Sequence, residues 1–151
     1  YQAKAPADPV ALTLLAKAHL FAGSPTNEVI AAATAAHKAC PNWATPLVFR
    51  GMGHHFSKDA PSAKADFAKA LALSPNYATA QLNLGVVAYE IKDYASAAEA
   101  FKTVLATKKN DKDAHFYLGQ SLAQLKRDDA AKKHFCLAEK HGHKDAAKHC
   151  K

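Results

Sequence analysis

The sequence predicts an all-α fold built of repeated pairs of short helices and closed by a short C-terminal helix. Three observations carry that prediction. The first is an internal period of about 34 residues. Gly51, Gly85 and Gly119 fall in register, as do Ala63, Ala97 and Ala131, then Phe67, Phe101 and Phe135, then Ala70, Val104 and Ala138. Self-similarity at such a spacing is the mark of a helical-repeat architecture. The second is the spacing of apolar residues inside each period, which steps by three and four, as on one face of a helix, and not by two, as in a strand. The third is composition: 49% of the 151 residues are apolar, enough for a continuous core, while six Gly and seven Pro are too few for a collagen-like or low-complexity chain.

In chain order, residues 1–9, with Pro6, Pro9 and alternating Ala, read as a flexible leader. Residues 10–43 fit a first, degenerate unit by length and by Pro41, which shares its offset with Pro75, but Lys17 stands at the glycine position and Ala33 at the phenylalanine position. A terminal unit has one face without a neighbouring unit and departs from the pattern for that reason. Residues 44–77, 78–111 and 112–145 are three clear units, with Asn42, Asn76 and Asn110 marking the junctions. Within 78–111, Leu82, Leu84, Val86, Val87 and Ile91 predict a helix from Ala78 to Ile91, Lys92-Asp93 a turn, and Ala97, Ala98, Phe101, Val104 and Leu105 a second helix. A helical glycine costs about 1 kcal/mol relative to alanine. Its return in three units therefore predicts close helix approach, with the phenylalanine column filling the space between helices. Residues 146–151 are too short for a further unit and predict a truncated capping helix that covers the last apolar face.

The segment Leu82-Asn83-Leu84-Gly85, with Tyr89, Asp93-Tyr94, Ala97, Phe101 and the Pro-Asn junctions, resembles the tetratricopeptide repeat (TPR), and the likeness is strong over residues 44–145. The resemblance implies a TPR solenoid, a right-handed superhelix of helix pairs with a concave groove lined mainly by the first helix of each unit. It also implies a scaffold or adaptor that holds a protein or peptide partner. Carried over position by position, the groove residues are Val48, Met52, His55 and Phe56 in the second unit and Leu82, Asn83, Val86, Tyr89 and Glu90 in the third. In the fourth they are Asp113, Phe116, Tyr117, Gln120 and Gln124. Phe56, Tyr89, Phe116, Asn83 and Gln120 are expected to share one concave surface. Family members that capture the acidic C-termini of heat-shock chaperones use a Lys/Asn clamp, and the matching first-unit positions here are Leu14 and Ala18, a departure from that pattern. Filling of the groove by a neighbouring copy, and so self-association, is the other use of Val48, Leu82 and Phe116.

Cys40, Cys136 and Cys150 include no two-residue-spaced pair, so the usual zinc, thioredoxin-like and covalent-haem signatures do not apply. Gly142 is expected to end the helix that holds Cys136, after which the closing helix runs back antiparallel to it. Cys136 lies six residues before that glycine and Cys150 eight after, nearly level at about 1.5 Å per residue. Facing backbones of packed helices are within disulfide reach. A disulfide between Cys136 and Cys150 is one reading, and two buried thiols in a reducing compartment the other. Cys40, ahead of Pro41, reads as a packing residue. His134, His141, His143 and His149 gather near the two cysteines, so the alternative function is a metal- or haem-handling protein using this C-terminal His/Cys cluster. The spacing matches no known ligand pattern, and neither a metal nor a cofactor is assigned. Of the adjacent His54-His55, only His55 is placed towards the groove.

The net charge of +7 comes from 20 basic and 13 acidic residues, yet no block of like charge stands out. Only Arg50 and Arg127 offer the bidentate forks that nucleic-acid recognition favours, so no specific nucleic-acid partner is expected. The longest apolar stretch, Val10 to Ala22, is broken by Lys17 and His19, short of the roughly 18 residues of a spanning helix. No Gly-rich phosphate loop, nucleophile elbow or His-Glu-x-x-His is present, and Asp128-Asp129 read as acids at a helix N-terminus. No catalytic residue is assigned. The candidate disulfide, and a first residue that is Tyr1 and not Met, lean towards an exported or lipid-anchored protein, with a cytoplasmic adaptor as the alternative. An assembly factor of an exported machinery is the finer expectation.

Overall fold

The structure, a computed structural model, describes residues 8–150, and every regular element among them is a helix. The chain runs α1 (Pro9–Ala22), α2 (Thr26–Ala39), α3 (Ala44–Phe56), α4 (Ala60–Leu73), α5 (Ala78–Glu90), α6 (Tyr94–Thr107), α7 (Lys112–Gln124), α8 (Asp128–Lys140) and α9 (Ala147–Cys150). Residues 1–7 of the expected leader lie outside the described residues. Asp8 and Pro9 already belong to α1, the proline as its first residue and Asp8 as a cap whose Oδ1 accepts from the Val10 N–H at 2.9 Å. Among the described residues no helix is long and apolar enough to cross a membrane.

Local chemistry sets the helix ends. Asp59, Asp93 and Asp111 accept from the backbone N–H of Ser62, Ser96 and Ala114, each satisfying one of the orphan donors of a first turn. Asp128 and Asp129 occupy the first turn of α8, where the helix dipole favours them. At the turn inside each clear unit the same column holds Lys58, Lys92 and Lys126, with φ of 65°, 66° and 61°. These lysines occupy the left-handed conformation that closes a Schellman motif: Lys92 N–H donates to the Tyr89 carbonyl and Asp93 N–H to that of Ala88, both at 2.9 Å.

The described chain forms two compact units, one ending at Ala80 and one beginning at Gln81. In the first, α1 packs on α2 and α3, α2 on α3, and α3 on α4. Its buried residues include Ala16, Ala33, Leu47, Ala63, Phe67 and Ala70. In the second, α7 packs on α6 and α8, and α9 on α8. The core of this unit gathers Ala88, Ala97, Ala98, Phe101, Leu118, Leu122, Ala131 and Phe135.

The two most regular columns of the sequence explain each other. A Cβ at Gly51 would lie 2.8 Å from the Phe67 ring, at Gly85 2.7 Å from Phe101, and at Gly119 2.9 Å from Phe135. The glycine is there because the phenylalanine ring of the same repeat lies against the bare backbone, a stricter requirement than general helix proximity. The 10–43 unit changes both members together: Ala33 is wholly buried where the ring would be, and Lys17, freed from facing a ring, is exposed.

Candidate functional site

Within the second compact unit, the groove positions Leu82, Val86 and Tyr89 fall on α5 and Phe116 and Tyr117 on α7. The structure brings all five onto the rim of one buried cluster, each partly exposed. Tyr89 meets Tyr94 edge-on at 5.3 Å and Tyr117 at 6.4 Å, and Tyr117 stacks on Phe101 at 5.5 Å. Burial raises the pKa of the Tyr89 and Tyr117 hydroxyls, so both remain neutral donors at ordinary pH. Asn83 and Gln120 are also partly exposed. Apolar and aromatic surface with amides beside it is thus present within this unit.

Phe116 departs from the expectation of an open groove residue. His143 stacks on its ring at 3.9 Å, with the planes 15° apart, and Phe135 meets it edge-on at 5.8 Å. His149 lies over Phe135 at 4.7 Å, and His143 Nε2 approaches Asp113 at 3.8 Å. The reason is the closing segment: the residues after Gly142, which has φ of 89°, fold back over this part of the α7 and α8 surface. Cys136 and Cys150 hold the segment down as a disulfide with Cα atoms 4.8 Å apart, while Cys40 is free. Both sulfurs are therefore engaged with each other, which removes them from the soft-metal site drawn for the alternative function. Among the described residues no three His, Cys, Asp or Glu converge as a metal-binding group.

Histidine pairing takes another form that the spacing did not announce. His115 is 6% exposed, and its Nε2–H donates to the Lys109 carbonyl at 2.9 Å. Its Nδ1 faces the Nδ1 of His134 at 3.0 Å, one of the two donating to the other. Burial, followed by His115, Lys133 and Lys102, lowers the pKa of His134.

Within the first compact unit, Val48 is only 2% exposed and is a packing residue with no surface left for a ligand. Met52 and His55 are partly exposed, and Phe56 is exposed with the His55 ring stacked on it at 5.4 Å. His54 lies on the packed side as expected, 3.5 Å from Asp59 and 3.9 Å from the carboxylate of Asp66. Asp66 is buried and receives Arg50 through two bonds, Nε at 2.8 Å and Nη2 at 2.6 Å. This bond raises the Arg50 pKa, and burial and then Arg50 lower that of His37. The signal for the ion pair was available: Arg50 shares its column with Leu84 and Leu118, and Asp66 with Ala100 and His134.

Leu14, which the resemblance sets at a groove position of the first repeat, belongs to a wider apolar surface. On α1 the side chains of Val10, Leu14, Leu15 and Phe21 are exposed. Beside them an apolar cavity of about 250 Å³ opens between α1 and α3, lined by Val10, Thr13, Leu14, Lys17, Trp43 and Phe49.

The family model described as Tetratricopeptide repeat matches residues 57–112 and 93–139, together more than half the chain. A crystal structure of MamA superposes with a TM-score of 0.79 at 23% identity, over 92% of this chain and 75% of that one. PilF of Pseudomonas aeruginosa gives 0.82 at 20%, over 89% and 61%. The first TPR of Spaghetti (RPAP3), solved bound to an HSP90 peptide, gives 0.76 at 20%, over 80% and 95%. No curated protein matches the chain. At these identities the structural likenesses speak for the fold.

Proposed function

The chain belongs to the tetratricopeptide repeat family, and on that premise we propose that it is a binding scaffold that holds a protein or peptide segment on the α5 and α7 face of its second unit. The observation that carries this reading is the gathering of Leu82, Val86 and Tyr89 as partly exposed side chains on one cluster, with Asn83 and Gln120 also partly exposed. Aromatic anchors supply most of the energy of an interface, and amides can hold the backbone of an extended peptide. The Spaghetti domain, solved with a peptide bound, shows that a similar fold serves this purpose in another protein. Met52, His55 and Phe56 provide a smaller surface of the same kind on the first unit. No catalytic step is assigned.

The test is capture of native partners by the unmutated chain and by Tyr89→Ala with Gln120→Ala. Both positions lie outside the fully buried core, so helical content should be kept while affinity falls by at least about 2 kcal/mol, roughly thirtyfold. Recovery of the same partners by the double variant would sink this reading. Phe116 is left intact because its ring supports the closing segment. The finer reading, an assembly factor of an exported machinery, draws support from the Cys136–Cys150 disulfide, since such bonds persist in oxidising compartments. Isolation of the native protein with both thiols reduced would remove that support.

A further inference from the structure

Three rings of the α5 and α7 face form one row. Tyr89 meets Tyr117 edge-on at 6.4 Å and Tyr117 meets Phe116 at 5.8 Å, so Phe116 stands at the α7 end of the same aromatic surface. That end is under cover. His143 lies flat against the Phe116 ring at 3.9 Å, and further along the closing segment His149 lies over Phe135 at 4.7 Å.

The cover has little of its own to hold it down. Its helix α9 has four residues, too few to be stable alone. The backbone N–H groups of Ala146 and His149 donate to the carbonyls of His143 and Ala146, and Lys148 pairs with Asp145, all inside the segment. His143 Nε2 stops 3.8 Å from Asp113, beyond hydrogen-bond length, and its Nδ1 is buried with no hydrogen-bond partner, a cost met whenever the ring is seated. Against this stand the buried Ala146, the ring stacks and the Cys136–Cys150 bond. The bond is open to attack. Both cysteines are partly exposed, and residues 132–148 carry Lys132, Lys133, Lys140, Lys144 and Lys148 against Glu139 and Asp145. Positive surroundings stabilise the thiolate that leaves when a disulfide is attacked, and a more stable leaving thiolate speeds the exchange.

We propose that Cys136–Cys150 is a redox latch on this face: a dithiol reductant opens the bond, the segment after Gly142 lifts, and the Phe116 ring joins Tyr89 and Tyr117 as surface for a partner. One thiolate of the reductant attacks a sulfur of the bond, and the electron pair leaves on the other cysteine. The second thiolate of the reductant then displaces the cysteine held in the mixed disulfide. The reductant ends as a disulfide, and its two thiol protons end on Cys136 and Cys150. Oxidation by a disulfide of the same class runs the steps backwards and seats His143 again. This regulation rests on α5 and α7 being the binding face.

The contact that must break carries its own signal. The carbon-bound imidazole protons of His143 lie against the face of the Phe116 ring and are shielded by it, so in proton NMR of the whole oxidised chain they resonate upfield of a free histidine. His143→Gln identifies them. Dithiothreitol should move them to the free-histidine position, while the signals of His115 and His134, paired between α7 and α8, stay in place. The dye 1-anilinonaphthalene-8-sulfonate, used as a probe of apolar aromatic surface, should bind the reduced chain at least about tenfold more tightly. Cys136→Ser with Cys150→Ser should match the reduced chain with or without dithiothreitol. Shielded His143 signals that persist after reduction would overturn the latch, and so would release without a gain in dye binding. Release together with loss of the His115 and His134 signals would mean that the whole unit loosens, and would overturn it equally. The binding face is judged separately, by Tyr89→Ala with Gln120→Ala in the oxidised chain, so its failure is told apart from a failure of the latch.

Discussion

Phe101 is wholly buried, and its ring lies where a methyl group on Gly85 would come within 2.7 Å. Two substitutions at this contact therefore fail for opposite reasons. Phe101→Ala removes the ring and leaves a cavity at a cost of about 3–5 kcal/mol. Gly85→Ala drives a methyl group into the ring and costs about 1–3 kcal/mol. Combined, the new methyl group enters the space the ring has left, so the double variant should be less damaged than the sum of the two. Denaturant titration of the three variants gives the coupling directly, and strict additivity would show that the two positions do not meet. Arg50 and Asp66 behave differently: the carboxylate is buried and doubly bonded to the guanidinium, so loss of either partner strands a charge.

At the scale of the element, the four-residue α9 is far too short to be stable alone, and Cys136–Cys150 is what retains it. In the chain-entropy model closure of a 15-residue loop adds about 3 kcal/mol. Thiol titration of denatured, unreduced protein should find only Cys40, and reduction should lower stability by about that amount; three reactive thiols would contradict the bond. Most elements were legible in the sequence because a repeat writes the same demand three times, as the Gly51, Gly85 and Gly119 column does against its phenylalanines. The Arg50–Asp66 pair was legible too, but only as two opposite charges standing where the other repeats carry none, Leu84 and Leu118 in one column and Ala100 and a histidine in the other. The cover over Phe116 was not legible. It depends on where a non-repeating segment folds back, and no periodicity places His143 on that ring. The cavity beside Trp43 escaped for a related reason: it is a gap between α1 and α3, and a gap leaves no mark on either helix's own pattern.

For the molecule as a whole, each compact unit holds a partly buried histidine whose pKa is lowered mainly by desolvation, His37 in the first and His134 in the second. The unfolded chain takes up these protons nearer the ordinary value of 6.5, so above that pH the native state carries no penalty. As pH falls below it, unfolding gains protons first and stability is lost until the folded-state values are passed. Thermal melting followed from pH 7.5 to pH 5 should show a falling midpoint. His134→Gln, which no longer takes up the proton, should flatten the fall, and an unchanged slope would contradict the assignment. The net charge of +7 grows as the nine histidines titrate, a background that this variant leaves nearly untouched and so separates from the local effect. The cross-link near the C-terminus has a mechanical consequence as well. Tension applied beyond Cys150 passes through sulfur to Cys136, so the second half of α8 and the strap after it lie outside the load path. Some 50 Å of contour stays in reserve for as long as the bond is intact, to be paid out only after reduction.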